Sequence, residues 1–158
     1  MFSLAKILFP VDFSQRSVEA AHYAGMLACR FRSELTLLHV VPICEYSPAG
    51  IELAAGLPEP ALPRLDEMQK KLKAFMKDQF RGLTLNHLVL EGDSAIHIIE
   101  TAESEKVDLI LMPTHGYERF RRFVLGSVTA KVLDHVNCPV FTGGSPRRGR
   151  RCGARALP

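Results

Sequence analysis

The part of this chain best suited to chemistry contains two glycines, Gly116 and Gly126, with nine residues between them. A largely apolar run at 107–112 precedes it, and a helical pattern begins at Ser127. A buried strand, a glycine-containing loop and a helix start form an arrangement in which backbone N–H groups can surround an anion. The sequence therefore indicates a ligand that carries phosphate, most naturally a nucleotide.

Strand-like and helix-like segments alternate along the chain and must position this loop. Short apolar segments typical of buried strands lie at residues 6–12, 34–41, 84–90, 107–112 and 139–142. Segments with helical periodicity lie at 14–32, 64–80, 95–105 and 126–136, with Ser14 or Asp12 as the cap of the first. Residues 42–63 lack a regular period and contain several prolines, which predicts a long loop.

This alternation predicts an α/β fold, a three-layer sandwich in which a five-stranded parallel sheet carries four helices on its two faces. In the third helix, Ile96, Ile99 and Ala102 are expected to face inward. Ligands of such sheets bind beyond the carboxyl ends of the strands, where the strand order reverses. Asp12, Val40 and the segment 112–116 lie at such ends, so the fold is expected to bring them together.

The net charge of the 158-residue chain is +3, but it is unevenly distributed. Five arginines lie beyond Pro146, and without them the rest of the chain has a net charge of −2. Such a body has no overall positive field to attract nucleic acid, so a nucleic-acid partner is not expected. Residues 1–143 are interpreted as one domain and residues 144–158 as a basic tail that is disordered.

Several classes of site are excluded by their missing patterns. The chain has no P-loop, no dinucleotide-binding glycine pattern after the first strand and no esterase elbow. Its four cysteines lack the spacing of a metal site and are expected to be mostly buried thiols. No base is placed beside a nucleophile, so no catalytic residue and no metal-binding side chain is predicted, and binding without efficient turnover is favoured.

Hydropathy gives an expectation for the compartment. No apolar run approaches the roughly 20 residues that a membrane span requires, and no secretory signal is seen at the N-terminus. The expected location is therefore cytoplasmic, with no membrane partner.

Several motifs, in order, resemble the universal stress protein family over about residues 5–141. The matching pieces include Ile7–Ser14, Leu37–Val41, Glu91-Gly92-Asp93, Asp108–Met112, Gly126-Ser127-Val128 and Cys138-Pro139-Val140. ATP-binding members of that family carry Gly, two residues, Gly, nine residues, then Gly followed by Ser or Thr. This chain has the second glycine, the nine-residue spacing and the final pair.

The resemblance implies a fold like that of the adenine nucleotide alpha-hydrolases, with strand order 3-2-1-4-5. It also implies a stress-response regulatory protein that binds ATP, with magnesium, through residues of several strand ends and of the last helix. These predicted nucleotide-binding residues are Pro10, Val11, Asp12, Val40, Met112, Pro113, His115, Gly116, Gly126, Ser127, Val128 and Thr129. A homodimer that pairs the final strands is the expected assembly.

One departure from the family motif leaves two interpretations open. Pro113 replaces the first motif glycine, and proline fixes φ near −65° and offers no N–H. Either the intact part of the motif, from Gly116 to Ser127, still binds nucleotide, or the chain is an interaction scaffold of the same fold that has lost nucleotide binding. Weak ATP hydrolysis stays open as a third outcome.

Overall fold

The computed structural model describes residues 4–43, 61–113 and 126–143, and the side chains of residues 61–64 are not included. Nine elements alternate along these segments. In chain order they are β1 (Lys6–Pro10), α1 (Gln15–Phe31), β2 (Glu34–Val41), α2 (Ala61–Ala74), β3 (Leu85–Glu91), α3 (Ser94–Ser104), β4 (Leu109–Pro113), α4 (Ser127–His135) and β5 (Val140–Gly143).

The five strands form one sheet in the order β3-β2-β1-β4-β5, and every neighbouring pair is parallel. The predicted fold class and strand order are therefore confirmed. Strand β1 lies in the centre, where the chain moves to β2 on one side and later to β4 on the other. The order reverses at this point, and in folds of this type ligands commonly bind beyond the carboxyl ends of the strands there.

Two apolar clusters, one on each face of the sheet, divide the helices into two layers. On the first face, Ile7, Phe9 and Leu37 pack with the alanines of α1 and with Leu72 of α2. On the second face, other residues of the same strands pack with α3 and α4; they include Leu8, Leu38, Val40, Ile110 and Met112. The near-continuous apolar strands are thus explained by burial on both faces.

Helix α1 begins where the sequence predicted. Ser14 is its N-cap, and the Ser14 hydroxyl accepts a hydrogen bond from the Ser17 N–H at 3.2 Å. The buried face of α1 consists of small residues: Ser17, Ala20, Ala21, Ala24, Gly25 and Ala28.

Helix α2 differs from its predicted bounds at both ends. It begins at Ala61, inside the predicted loop, and ends at Ala74 instead of continuing to Phe80. Met76 has a positive φ of 51°, which reverses the chain and lets the Phe80 ring enter the core. There the ring packs against Gly25, since a Cβ added at Gly25 would lie 3.3 Å from it. The remainder of the predicted loop, residues 44–60, lies outside the described residues.

The predicted burial of Ile96 is wrong, and neither of the two described cysteines is fully buried. Ile96 is 53% exposed. The Asp93 cap fixes how α3 is rotated about its axis, so that Ala95, Ile98 and Ala102 face the sheet instead. Of the four cysteines expected to be mostly buried, Cys29 is exposed on the outer side of α1 and Cys138, after α4 near the sheet edge, is partly buried. Cys44 and Cys152 lie outside the described residues.

The turn between β3 and α3 depends on Gly92. Its φ is 148°, a conformation that residues with a Cβ rarely adopt. The ring of His97 lies directly beneath it, and His97 Nε2 is 3.1 Å from the carbonyl oxygen of Glu91. A Cβ added at Gly92 would lie 2.5 Å from that nitrogen. Glycine is therefore required both for backbone conformation and for space.

Replacing Gly92 with alanine is expected to lower the free energy of unfolding by about 2–3 kcal/mol, because strain and the displaced His97 ring add together. Gly82→Ala is the control: Gly82 also has a positive φ of 84°, but nothing lies within 4 Å of an added Cβ. This control is expected to lose only about 1 kcal/mol. Urea unfolding of both variants measures the difference, and equal losses would contradict the role of His97.

Candidate functional site

The carboxyl edge of the sheet brings together several predicted site residues. Val11 continues β1 by one hydrogen bond, from its N–H to the Leu38 carbonyl at 2.8 Å. Val40 lies near the end of β2, and Met112 and Pro113 close β4. The expectation that 12, 40 and 112 lie at neighbouring strand ends is borne out by this topology. His115 and Gly116 lie outside the described residues.

Asp12 follows β1 directly, and its carboxylate organises the turn into α1. Its Oδ1 accepts hydrogen bonds from the Ser14 N–H at 2.9 Å and from the Ser17 hydroxyl at 2.5 Å. Within the described ranges no hydrogen bond reaches its Oδ2. The Oδ1 oxygen therefore supports the local fold, while the Oδ2 oxygen takes no part in these hydrogen bonds.

His39 supports the same turn from the neighbouring strand. Its Nδ1 lies 2.7 Å from the carbonyl oxygen of Val11, so Nδ1 carries the proton and donates. Burial lowers the pKa of His39 from its usual value, and the nearby Lys71 lowers it further, although the Val11 hydrogen bond and Asp12 act in the opposite direction. The neutral ring is thus favoured in the folded protein.

Phe13 lies between Asp12 and α1 in a left-handed conformation, with a φ of 60°. Its ring lies 4.5 Å from the His39 ring and 5.8 Å from that of Phe75, measured between centroids. The Lys71 ammonium lies 4.2 Å above it. These contacts hold a backbone conformation that is unfavourable for phenylalanine, and so they fix the direction of the chain beside Asp12.

The start of α4 has no side-chain cap. Gly126 is its N-cap in an extended conformation, and it offers no side chain to accept a hydrogen bond. Among the described residues, no side chain accepts the N–H groups of this first turn, and the helix dipole favours an anion there. Thr129 is buried, and its hydroxyl donates to the Pro113 carbonyl at 3.3 Å, which links α4 to the end of β4.

An open groove of about 560 Å³ lies between the starts of α3 and α4. Its volume is in the range of small-molecule sites. The described residues that line it are Pro42, Ile43, Gly92, Asp93, Ser94, Ala95, Ser127, Val128 and Lys131. Of the predicted site residues only Ser127 and Val128 are in this lining, whereas Val11, Val40 and Met112 are nearly fully buried behind the edge and can offer a ligand little more than backbone.

Across this groove, Asp93 and Lys131 form an ion pair. Asp93 Oδ1 caps α3 by accepting the N–H groups of Ala95 at 2.8 Å and Ile96 at 3.0 Å, while its Oδ2 lies 3.6 Å from Lys131 Nζ. Sequence reasoning did not include either residue in the site. The Glu91-Gly92-Asp93 motif was visible, but its proximity to α4 depends on tertiary structure.

Neither a cluster of metal-ligating side chains nor a membrane-spanning helix is present among the described residues. In residues 4–43, 61–113 and 126–143, no three His, Cys, Asp or Glu side chains are grouped so as to hold a metal ion. Of the helices in the same segments, none has the length and apolar character needed to cross a membrane.

Comparison with known proteins identifies the family. The profile of the universal stress protein family matches residues 4–142. The chain belongs to this family. The universal stress protein MJ0531 of Methanocaldococcus jannaschii is 33% identical to it over 144 residues, which cover 90% of this chain and 84% of the relative.

Solved structures agree with this assignment. The structure of MJ0577, another universal stress protein of Methanocaldococcus jannaschii, has a TM-score of 0.73 at 27% identity and covers 94% of this chain and all of its own. A universal stress protein in complex with cAMP has a TM-score of 0.63 at 17% identity, with 92% and 100% of the two chains covered. One from Archaeoglobus fulgidus in complex with dAMP has a TM-score of 0.57 at 18% identity, with 89% and 98% covered. At 17% and 18% identity, the last two structures show only that the fold is the same.

The lowered pKa of His39 predicts how stability depends on pH. His39 binds a proton more readily in the unfolded state than in the folded state. Its contribution to the free energy of unfolding is therefore complete above about pH 6.5, and it is lost as the pH falls through the lower pKa of the folded protein. His39→Gln removes this component. The difference in unfolding free energy between the two proteins, measured in urea, should therefore shrink from pH 8 to pH 5. A constant difference would contradict the prediction.

Proposed function

We propose that this universal stress protein is an ATP-binding regulatory module that binds nucleotide and does not turn it over efficiently. The observation that carries the proposal is the start of α4, which has no side-chain cap and faces a groove of ligand size beyond the carboxyl ends of β2 and β3. Backbone N–H groups of Ser127 and Val128 would receive the phosphates there.

The nucleoside end of the ligand is proposed to lie toward β1 and β2. Pro10 and the backbone of Val40 would flank the adenine, and Asp12 would lie beside the sugar. The Asp12 geometry supports this role, because Ser14 and Ser17 use only one of its carboxylate oxygens. Magnesium binds oxygen ligands and usually keeps waters and phosphates, so the remaining oxygen of Asp12 fits it chemically. When bound, the ion would offset phosphate charge.

Two structural neighbours in complex with cAMP and dAMP support a nucleotide ligand for this fold. Both ligands combine an adenine with a single phosphate group. They are consistent with the proposed division of the site into a part for the base and a part for the phosphate.

The second candidate function is an interaction scaffold without nucleotide, and Pro113 is the residue that favours it. Pro113 is the last residue of β4, where it pairs with Gly143. It has no N–H for a ligand, and its carbonyl already accepts the Thr129 hydroxyl. A wild-type protein that binds no ATP in a calorimetric titration with magnesium would favour the scaffold.

Gly126→Asp tests the proposed site with opposite effects on stability and binding. A carboxylate at the N-cap would accept the free N–H groups and stabilise α4, raising the unfolding free energy by a few tenths of a kcal/mol or more. The same carboxylate would repel phosphate, so calorimetric titration with ATP and magnesium should show binding weakened by at least about tenfold.

Asn137→Asp is the matched control, because it adds the same charge beyond the other end of α4, at an exposed position. It should bind ATP as the wild type does. Equal binding by Gly126→Asp and the wild type would disprove the site, and loss of binding in both variants would point to an effect of net charge alone.

We also propose a homodimer that pairs β5 with β5 across a two-fold axis. Strand β5 is at the edge of the sheet. The Ile110 N–H donates to the Pro139 carbonyl at 3.0 Å, so the alternation of a parallel ladder turns the N–H groups of Val140 and Thr142 away from β4. Such an edge is a template for a second chain.

Thr142→Pro should therefore weaken the dimer while leaving the sheet of each protomer intact, because proline is tolerated at an edge position whose N–H does not serve the ladder. Sedimentation velocity should show wild type at twice 17.6 kDa and the variant shifted toward the monomer. Circular dichroism checks that the fold is unchanged. A wild-type monomer, or an unaffected dimer, would contradict the proposal.

A further inference from the structure

Lys131 extends the positive character of the groove beyond the first turn of α4. Ser127 and Lys131 are four residues apart, so they lie on the same face of the helix, and both line the groove. Four residues correspond to about 6 Å along the helix axis. A phosphate chain that begins at the N–H groups of Ser127 and Val128 and continues along this face would approach Lys131.

The Lys131 ammonium pairs with Asp93, whose carboxylate also caps α3. Asp93 Oδ1 caps α3, and only its Oδ2 meets the Lys131 ammonium, at 3.6 Å. The hydrogen bond from the Ile96 N–H, together with those from Ala95 and the nearby Lys131, holds the pKa of Asp93 below its usual value. The carboxylate is therefore ionised at neutral pH, and the pair is a true ion pair.

This pair is easily exchanged for another. The side chains are 61% and 45% exposed, and an ion pair in water contributes little to stability. Lys131 thus loses little by leaving Asp93 for an anion of higher charge. A single phosphate on the first-turn N–H groups would leave the ion pair in place, whereas a chain of phosphates would reach the ammonium and replace the carboxylate.

We infer that Lys131 is a phosphate-binding residue and Asp93 its internal competitor, so that the groove selects ligands by their number of phosphates. The inference rests on the proposed nucleotide function and adds its specificity. It assigns triphosphates as the preferred class and makes monophosphates weak ligands of the same site.

Calorimetric titrations with the magnesium complexes of ATP and ADP, and with AMP, test the inference on the full chain. Lys131→Gln should weaken ATP binding about tenfold and AMP binding less than about twofold, because only the longer phosphate chain reaches the ammonium. Lys131→Arg should retain most of the preference. Lys77→Gln removes an exposed positive charge elsewhere and should leave all three affinities unchanged.

Asp93→Asn tests the competition, since asparagine also caps helices and keeps α3 intact. It should strengthen ATP binding about threefold, and this gain should disappear in the double variant with Lys131→Gln. Glu103→Gln, an exposed position in the last turn of α3, controls for the loss of one negative charge. A gain that persists without Lys131 would mean that Asp93 repels phosphate directly, which would overturn the competition.

The outcomes separate this inference from the proposed function. If ATP binds the wild type and Gly126→Asp abolishes binding, but Lys131→Gln changes ATP and AMP affinities equally or not at all, the site stands and the inference is wrong. If the wild type binds none of the three nucleotides, both are wrong.

Discussion

Hydrogen bonding of β1 on both of its edges is the constraint on which the remaining structure depends. Its central residues are almost completely buried, so the strand cannot slip without exposing one face of the sheet. The chain leaves it toward β2 on one side and returns beside it as β4 on the other. Asp12 is carried by this strand to the point where the two halves of the sheet diverge, and His39 and Phe13 hold it there.

The two helices whose starts line the groove, α3 and α4, begin in different ways. The Asp93 carboxylate caps α3, whereas α4 starts at Gly126, and no side chain among the described residues caps it. This difference of one side chain decides at which helix start a carboxylate accepts the first-turn N–H groups. At the other start, those N–H groups have no such acceptor among the described residues. The proposed phosphate site therefore depends on a residue that leaves α4 without a side-chain cap, and the proposed selectivity depends on the neighbouring Asp93.

The sequence predicted those features that depend on local patterns. Continuous apolar segments indicated strands buried on both faces, and the order of elements with the family motifs gave the sheet order. The end of α2 was not predictable, because Phe75, Met76 and Phe80 keep helical spacing, and the break follows from the distant contact of Phe80 with Gly25. Asp93 and Lys131 were missed for the same reason, since each appears solvated in sequence and they meet only when α3 packs beside α4.

The small residues of α1 affect how far the sequences of the two helix layers, one on each face of the sheet, can vary among homologues. A helix whose inner face is alanine, serine and glycine lies close against the strands, and there is no side-chain volume that can be redistributed when a neighbour grows. The opposite layer uses Ile98 and Val132, whose methyl groups can be exchanged between partners at constant total volume. Homologues of this protein should therefore vary their hydrophobic residues mainly behind α3 and α4, and retain a thin, invariant contact behind α1.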